Sequence, residues 1–135
     1  EYALKLFAEG EKWANQQGLI LVDTKYEFGL VDNKLIVIDE IHTPDSSRYW
    51  IKDEYEARFH NGEDQLMLDK ENIRQWLINK GFSGEGTPPQ LDDDIRILLS
   101  KKYIELFNIL TGQTFKPSVG DVDLRIKDNL KSAGF

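Results

Sequence analysis

The stretch Leu19-Ile20-Leu21-Val22-Asp23-Thr24-Lys25-Tyr26-Glu27-Phe28 is followed, after Gly29 and an Asp32-Asn33 turn, by Lys34-Leu35-Ile36-Val37-Ile38-Asp39-Glu40. Leu19 to Val22 is a short apolar run with strand character. From Asp23 the chain alternates. Asp23, Lys25 and Glu27 fall on one side and Thr24, Tyr26 and Phe28 on the other, because successive strand side chains point to opposite faces. Asp and Asn suit a turn, and the second run alternates again, rich in Ile and Val. An antiparallel hairpin is expected. With it comes an α+β fold class, a small antiparallel sheet with helices packed around it, in a single domain over residues 1–135.

Working outward, Ala3, Leu6, Phe7, Trp13 and Ala14 recur at helical spacing, and Gly18 is a natural stop. Beyond the hairpin, Ile41 to Ser47 reads as a loop that Arg48-Tyr49-Trp50 closes. Asp53 is expected to cap a short helix through Phe59, ending near Asn61-Gly62. Asp69 caps a clearer one, with Ile73, Trp76 and Leu77 inward and Gly81 as its stop. Gly81 to Gln90 is a loop. Asp92 caps a long helix whose Ile95, Leu98, Leu99, Leu106, Ile109 and Leu110 form the expected buried stripe, ended by Thr111-Gly112. A last helix carries Val122, Ile126 and Leu130 at a spacing of four. Trp13 and Trp76 are expected in the core.

Apolar residues make up 40% of the 135, enough for a core and too many for a disordered chain. The net charge of −7 argues against general nucleic-acid binding, which needs a basic footprint. With no cysteine, a disulfide scaffold and a Cys-based zinc site are excluded. No apolar run approaches the ~20 residues of a membrane span, and no signal peptide is visible. A cytoplasmic protein with no nucleic-acid or membrane partner is the expectation.

Three constellations could carry chemistry. In the hairpin, a turn centred on Asn33 would set Glu27 opposite Asp39. Two such carboxylates repel unless a cation lies between them, and Mg²⁺ takes one or two carboxylates plus substrate phosphates. Lys25 could meet a phosphate as a point charge. Taken alone, the charged stripe reads first as the solvated face of a half-buried sheet, and the strand by itself favours that reading. Second, Thr43-Pro44-Asp45-Ser46-Ser47-Arg48 offers hydroxyls, a carboxylate and a guanidinium suited to bidentate anion binding, or an ordinary Asx or Ser turn. Third, Lys70 and Arg74 share a helix face near an N-terminus that favours anions, or form a solvated face. His42 and His60 lack metal-ligand spacing and are expected in surface or packing roles. The Gly81–Gln90 loop lacks the ending of a P-loop.

The order of these pieces adds a resemblance. Leu21-Val22-Asp23-Thr24-Lys25-Tyr26-Glu27-Phe28-Gly29 resembles the hallmark strand of the SAICAR synthetases. Ile38-Asp39-Glu40-Ile41-His42-Thr43-Pro44-Asp45-Ser46-Ser47-Arg48-Tyr49-Trp50 is similar to the family's second signature, and Asp69-Lys70 through Arg74-Gln75-Trp76-Leu77 to its next helix start. The resemblance implies an ATP-dependent ligase of purine biosynthesis that joins L-aspartate to the carboxylate of CAIR, the carboxyaminoimidazole ribotide, giving SAICAR, ADP and phosphate. It implies Glu27 and Asp39 as Mg²⁺ ligands and Lys25 and Asp23 as catalytic strand residues. Asp45, Ser46, Ser47, Arg48, Lys70 and Arg74 would bind the ribotide. His42 and Tyr26 depart from common family residues without touching the chemistry.

The resemblance further implies the C-terminal lobe of an ATP-grasp-like architecture. The N-terminal lobe of the same enzyme would then be a partner, with ATP bound between the two, and this chain alone would be inactive. A homo-oligomer is compatible with the sequence. The competing functions are a non-catalytic anion- or nucleotide-binding module derived from such an enzyme, and a phosphotransferase using the same carboxylates.

Overall fold

A computed structural model describes residues 1–135. In chain order the elements are α1 (Tyr2–Gln16), β1 (Leu19–Thr24), β2 (Phe28–Val31), β3 (Lys34–Val37), β4 (Ser47–Ile51), α2 (Lys52–Asn61), α3 (Glu71–Asn79), α4 (Asp93–Thr111) and α5 (Val122–Ser132). The class is α+β, with two separate two-stranded antiparallel sheets, β1 with β4 and β2 with β3. No helix is long and apolar enough to cross a membrane.

The expected hairpin exists in its second half only. Asp32 and Asn33 both take positive φ, 48° and 62°, as a two-residue hairpin turn requires. That turn fixes Phe28 opposite Val37 and Gly29 opposite Ile36. The register is therefore one residue off the turn centred on Asn33, and Glu27 does not face Asp39. Its carbonyl instead accepts the Ile38 N–H at 3.1 Å. Lys25 to Glu27 belong to no strand, so the chain from Asp23 to Phe28 is not one alternating strand.

β1 instead pairs with β4, the segment expected only to close a loop. Leu19 lies opposite Ile51 and Leu21 opposite Tyr49. The register then slips, and Asp23 lies opposite Arg48 and Thr24 opposite Ser47. Val22 is the extra residue, a β-bulge. Before it, odd-numbered residues point into the core, with Leu19 1% and Leu21 2% exposed. After it, Asp23 leaves that face while Thr24 meets the buried Ser47. A regular strand would have driven Asp23 into the core beside Leu21.

The core is Ala14, Leu19, Leu21, Tyr49, Leu68 and Leu106, with Phe7, Ile51, Ile109 and Leu110 packed against it. α1 covers β1, and Gly18 at φ 75° makes the turn between them. Gly10, inside α1, costs helix propensity but admits the His42 ring: a Cβ there would lie 2.3 Å from its Cε1. Asp92 caps α4 as expected, accepting from the Ile95 N–H at 3.0 Å.

Other expectations fail on burial. Trp13 is 52% exposed, and its indole N–H donates to the Leu110 carbonyl at 2.9 Å. Trp76 is half-buried and Leu98 is exposed. Asp53 does not cap α2. β4 runs directly into it through Ile51, and the Lys52 N–H is taken by the Gly18 carbonyl. On α5, Val122, Ile126 and Leu130 are all exposed: their helical spacing is real, but no packed partner covers the stripe.

Candidate functional site

Three segments far apart in sequence converge on one cavity of about 590 Å³. The end of β1 brings Asp23, and Lys25 follows just beyond it. The turn into β4 brings Asp45, Ser46, Ser47 and Arg48, and the start of α3 brings Lys70 and Arg74. Asp39, beyond β3, completes a set of nine of the ten residues singled out in the sequence. The tenth, Glu27, lies outside the lining and is joined through Lys25.

Lys25 sits where a cation was expected. Its Nζ lies 2.5 Å from Glu27 Oε1 and 3.6 Å from Asp39 Oδ2, although the two acids do not pair across a ladder. Glu27 holds the Lys25 ammonium well above its ordinary value. The Lys25 backbone N–H donates to the Ser46 carbonyl at 2.9 Å, fastening the strand end to the turn. No group of three or more acidic or histidine side chains is arranged to hold a metal ion.

Arg48 faces Asp23 across the sheet and grips it with two nitrogens, Nε at 2.9 Å from Oδ1 and a second nitrogen on Oδ2. The guanidinium holds the Asp23 carboxyl below the usual carboxylate range, against the opposing effect of burial. The pairing is available only because the bulge turned Asp23 outward.

The turn before β4 is built from its own hydroxyls. Thr43 Oγ1 accepts the Asp45 and Ser46 N–H groups at 3.3 and 3.2 Å, a Ser/Thr turn. Ser47 is 4% exposed, and its hydroxyl donates to Thr24 Oγ1 at 2.9 Å. That bond occupies its donor, so Ser47 shapes the turn more than it offers a free group. Ser46 lies at the cavity edge, 3.2 Å from Ser47 Oγ. Tyr103, from α4, donates to Asp45 Oδ1 at 2.7 Å.

His42 has φ 57°, in the left-handed region. Its ring packs on Gly10, its Nε2 lies 2.6 Å from the Tyr26 hydroxyl, and its carbonyl accepts the Tyr49 hydroxyl at 2.7 Å. Burial lowers its basicity and raises the Tyr49 hydroxyl to about 12. The packing role expected for a lone histidine is thus observed. His60 is exposed, 3.8 Å from Glu56.

Sequence reasoning missed Asp69 as a site element. It is 0% exposed, and its carboxylate accepts the Tyr49 N–H at 2.9 Å and the Glu71 N–H at 2.7 Å. It therefore locks α3 to β4, and burial pushes its carboxyl up despite both donors. The expected cap is displaced: Lys70 takes the N-cap position of α3 with no side-chain cap bond, while Asp69, one residue earlier, reaches the Glu71 N–H, and no local pattern reveals its second backbone partner on β4. By taking the Glu71 N–H, it also uses one of the groups that an anion at the helix start would seek. Glu71 and Glu40 also line the cavity and were missed; Glu71 lies 3.4 Å from Arg74 and accepts from Gln75 at 2.8 Å. The cavity wall thus holds six carboxylates, Asp23, Asp39, Glu40, Asp45, Asp69 and Glu71, against four cationic side chains.

A family model described as SAICAR synthetase matches residues 1–90. The phosphoribosylaminoimidazole-succinocarboxamide synthase of Cytophaga hutchinsonii is 49% identical over 136 residues, covering 98% of this chain and 44% of the relative. A solved structure, the SAICAR synthase of Saccharomyces cerevisiae complexed with SAICAR, superposes with a TM-score of 0.69 at 35% identity, covering 85% of this chain and 38% of that one. A type-2 SAICAR synthetase in complex with ADP aligns with a TM-score of 0.57 at 27% identity, over 85% of this chain and 37% of that one. The chain thus spans well under half the length of the proteins it matches.

Proposed function

Since the chain belongs to the SAICAR synthetase family, we propose that it forms the ribotide-binding and metal-holding lobe of the ATP-dependent ligase that joins L-aspartate to CAIR in purine biosynthesis. The observation that carries this reading is the single cavity that gathers nine of the ten motif residues from three distant segments. The similar proteins complexed with SAICAR and with ADP support the same substrate classes here.

The roles follow from charge and position. Arg48, Lys70 and Arg74 hold the anionic ribotide, Arg48 by a planar fork that Asp23 keeps aligned. Asp45 and Ser46 supply further polar contacts, and Ser47 shapes the turn that presents them. Lys25 neutralises phosphate charge as the CAIR carboxylate is phosphorylated, before the aspartate amine displaces that phosphate. Holding both reactants in line is most of what such a site must do.

Mg²⁺ fits the donor set. Glu27 and Asp39 already converge on one cation, the Lys25 ammonium, and the carboxylates of the wall outnumber its cations. Two carboxylates suffice for Mg²⁺ when water and substrate phosphates complete the shell. Bound there, the ion would offset charge on the transferring phosphoryl group.

The C-terminal-lobe assignment in an ATP-grasp-like enzyme, with a second lobe closing the nucleotide cleft, draws support from exposed apolar surface. In the β2–β3 region Leu30, Val31 and Leu35 to Ile38 are each 41–69% exposed, and only 10 of 135 residues are buried. So much uncovered apolar surface calls for a covering partner. A cytoplasmic location suits the reaction.

Calorimetric titration with CAIR, with and without Mg²⁺, tests the proposal on this chain and on the complete polypeptide. Binding that weakens in Arg48→Ala supports it. An Arg48→Ala protein that binds CAIR as tightly as the parent, or a complete polypeptide that does not bind it, removes it.

A further inference from the structure

Asp45 stands at the exposed tip of its turn, and its own neighbours hold only its backbone: the N–H goes to Thr43 Oγ1. Its carboxylate is held from elsewhere. The Tyr103 hydroxyl, 58 residues away on α4, donates to Oδ1 at 2.7 Å, while Oδ2 takes no hydrogen bond within the chain. The helix that delivers this hydroxyl is fixed. Leu106, one turn on, is 1% exposed in the central core. Tyr103 also lines an apolar recess with Ile104, Phe107 and Phe115. Burial, reinforced by the neighbouring Asp45, raises the phenol well above its ordinary value, so it keeps its proton and remains a donor.

We propose that Tyr103 is a positioning residue of the ribotide pocket: from α4 it fixes one oxygen of Asp45, so that the other is presented to the bound ligand as a ready acceptor. An exposed carboxylate left free would sample several rotamers and lose freedom on binding. Anchoring one oxygen removes that cost beforehand. Asp45 in this arrangement selects an N–H or O–H donor on the ribotide, while the cations of the cavity take its anionic groups. The proposal rests on the assignment of the cavity to CAIR given above.

The test is steady-state kinetics on the complete polypeptide with Tyr103→Phe, Asp45→Ala and the double variant. Tyr103→Phe keeps the ring and removes only the donor, and thermal unfolding checks the fold. The expected result is a rise of about tenfold in the KM for CAIR, with kcat and the KM for ATP within about twofold. In the Asp45→Ala background the second change is expected to add nothing, because the two residues act through one bond. An unchanged CAIR KM in Tyr103→Phe, alongside a raised one in Asp45→Ala, overturns the positioning role alone. So does full additivity, or a loss shared by all constants together with a lower unfolding temperature. If Asp45→Ala itself leaves the CAIR KM untouched, the pocket assignment fails and takes this proposal with it.

Discussion

Asp23 and Arg48 meet across β1 and β4 as the first residue pair after the bulge, two guanidinium nitrogens on two carboxylate oxygens. Both side chains are about half exposed, at 50% and 46%. Solvent therefore screens the pair, and it stabilises the fold by no more than about 1 kcal/mol. Its main effect is to hold the guanidinium plane.

The pair has a pH signature. Asp23 is depressed in the fold, so its contribution is present above the unfolded value near 3.8 and is lost as pH falls through the lower folded value. Urea unfolding of the parent and of Asp23→Asn, from about neutral pH down to about pH 2, should show a small difference that vanishes at the acid end. A difference that grows toward acid pH would contradict the pairing.

Asp69 should behave with the opposite sign. Burial raises its folded value, so its effect favours the fold below the unfolded value near 3.8 and fades as pH rises through the folded one. Its acceptor role matters more than its charge. Asp69→Ala orphans the Tyr49 and Glu71 N–H groups and should cost about 3 kcal/mol in denaturant unfolding. Asp69→Asn keeps one acceptor and should cost clearly less. Equal losses in the two variants would mean that the backbone bonds are not what Asp69 supplies.

Glu27 and Asp39 are expected to be needed for turnover and not for folding. Both are exposed enough that Glu27→Gln or Asp39→Asn should leave the unfolding temperature nearly unchanged. In the complete polypeptide either change should lower Mg²⁺-dependent kcat by about 100-fold or more. Full activity in either variant would remove it from the metal set.

Gly10 is a steric prediction. Alanine is the better helix former by about 1 kcal/mol, yet its Cβ would lie 2.3 Å from the His42 ring. Gly10→Ala should therefore destabilise the chain by about 1–3 kcal/mol. The same change in a His42→Ala background should be neutral or stabilising. Thermal melts of the four proteins decide it.

What could be read from the sequence was local. The β2–β3 turn followed from Asp32-Asn33, and the α4 cap from Asp92. Nine of the residues that line the cavity lie in motifs that are contiguous in sequence. What escaped was long-range pairing. Leu19 to Val22 gives no sign of choosing β4 over β3, because period two is the same with either partner. Ser47 to Ile51 looked like loop closure since its strand is short and carries Arg48. The Tyr103–Asp45 bond joins residues with no pattern between them. Spacing correctly found the apolar stripes of α4 and α5, but spacing does not say whether a partner covers them: Leu98 and Ile126 are exposed where Leu106 is not.

The bulge at Val22 also makes residue count, and not only residue type, a structural requirement of β1. Deleting Val22 would restore simple alternation and put Asp23 in phase with Leu21, so a carboxylate would enter the core and Arg48 would lose its partner. A chimera that exchanges this strand with a relative's can vary Leu19 and Leu21 only within the volume the core allows. It must preserve the count from Leu21 to Asp23, or the core and the cavity fall out of step with each other.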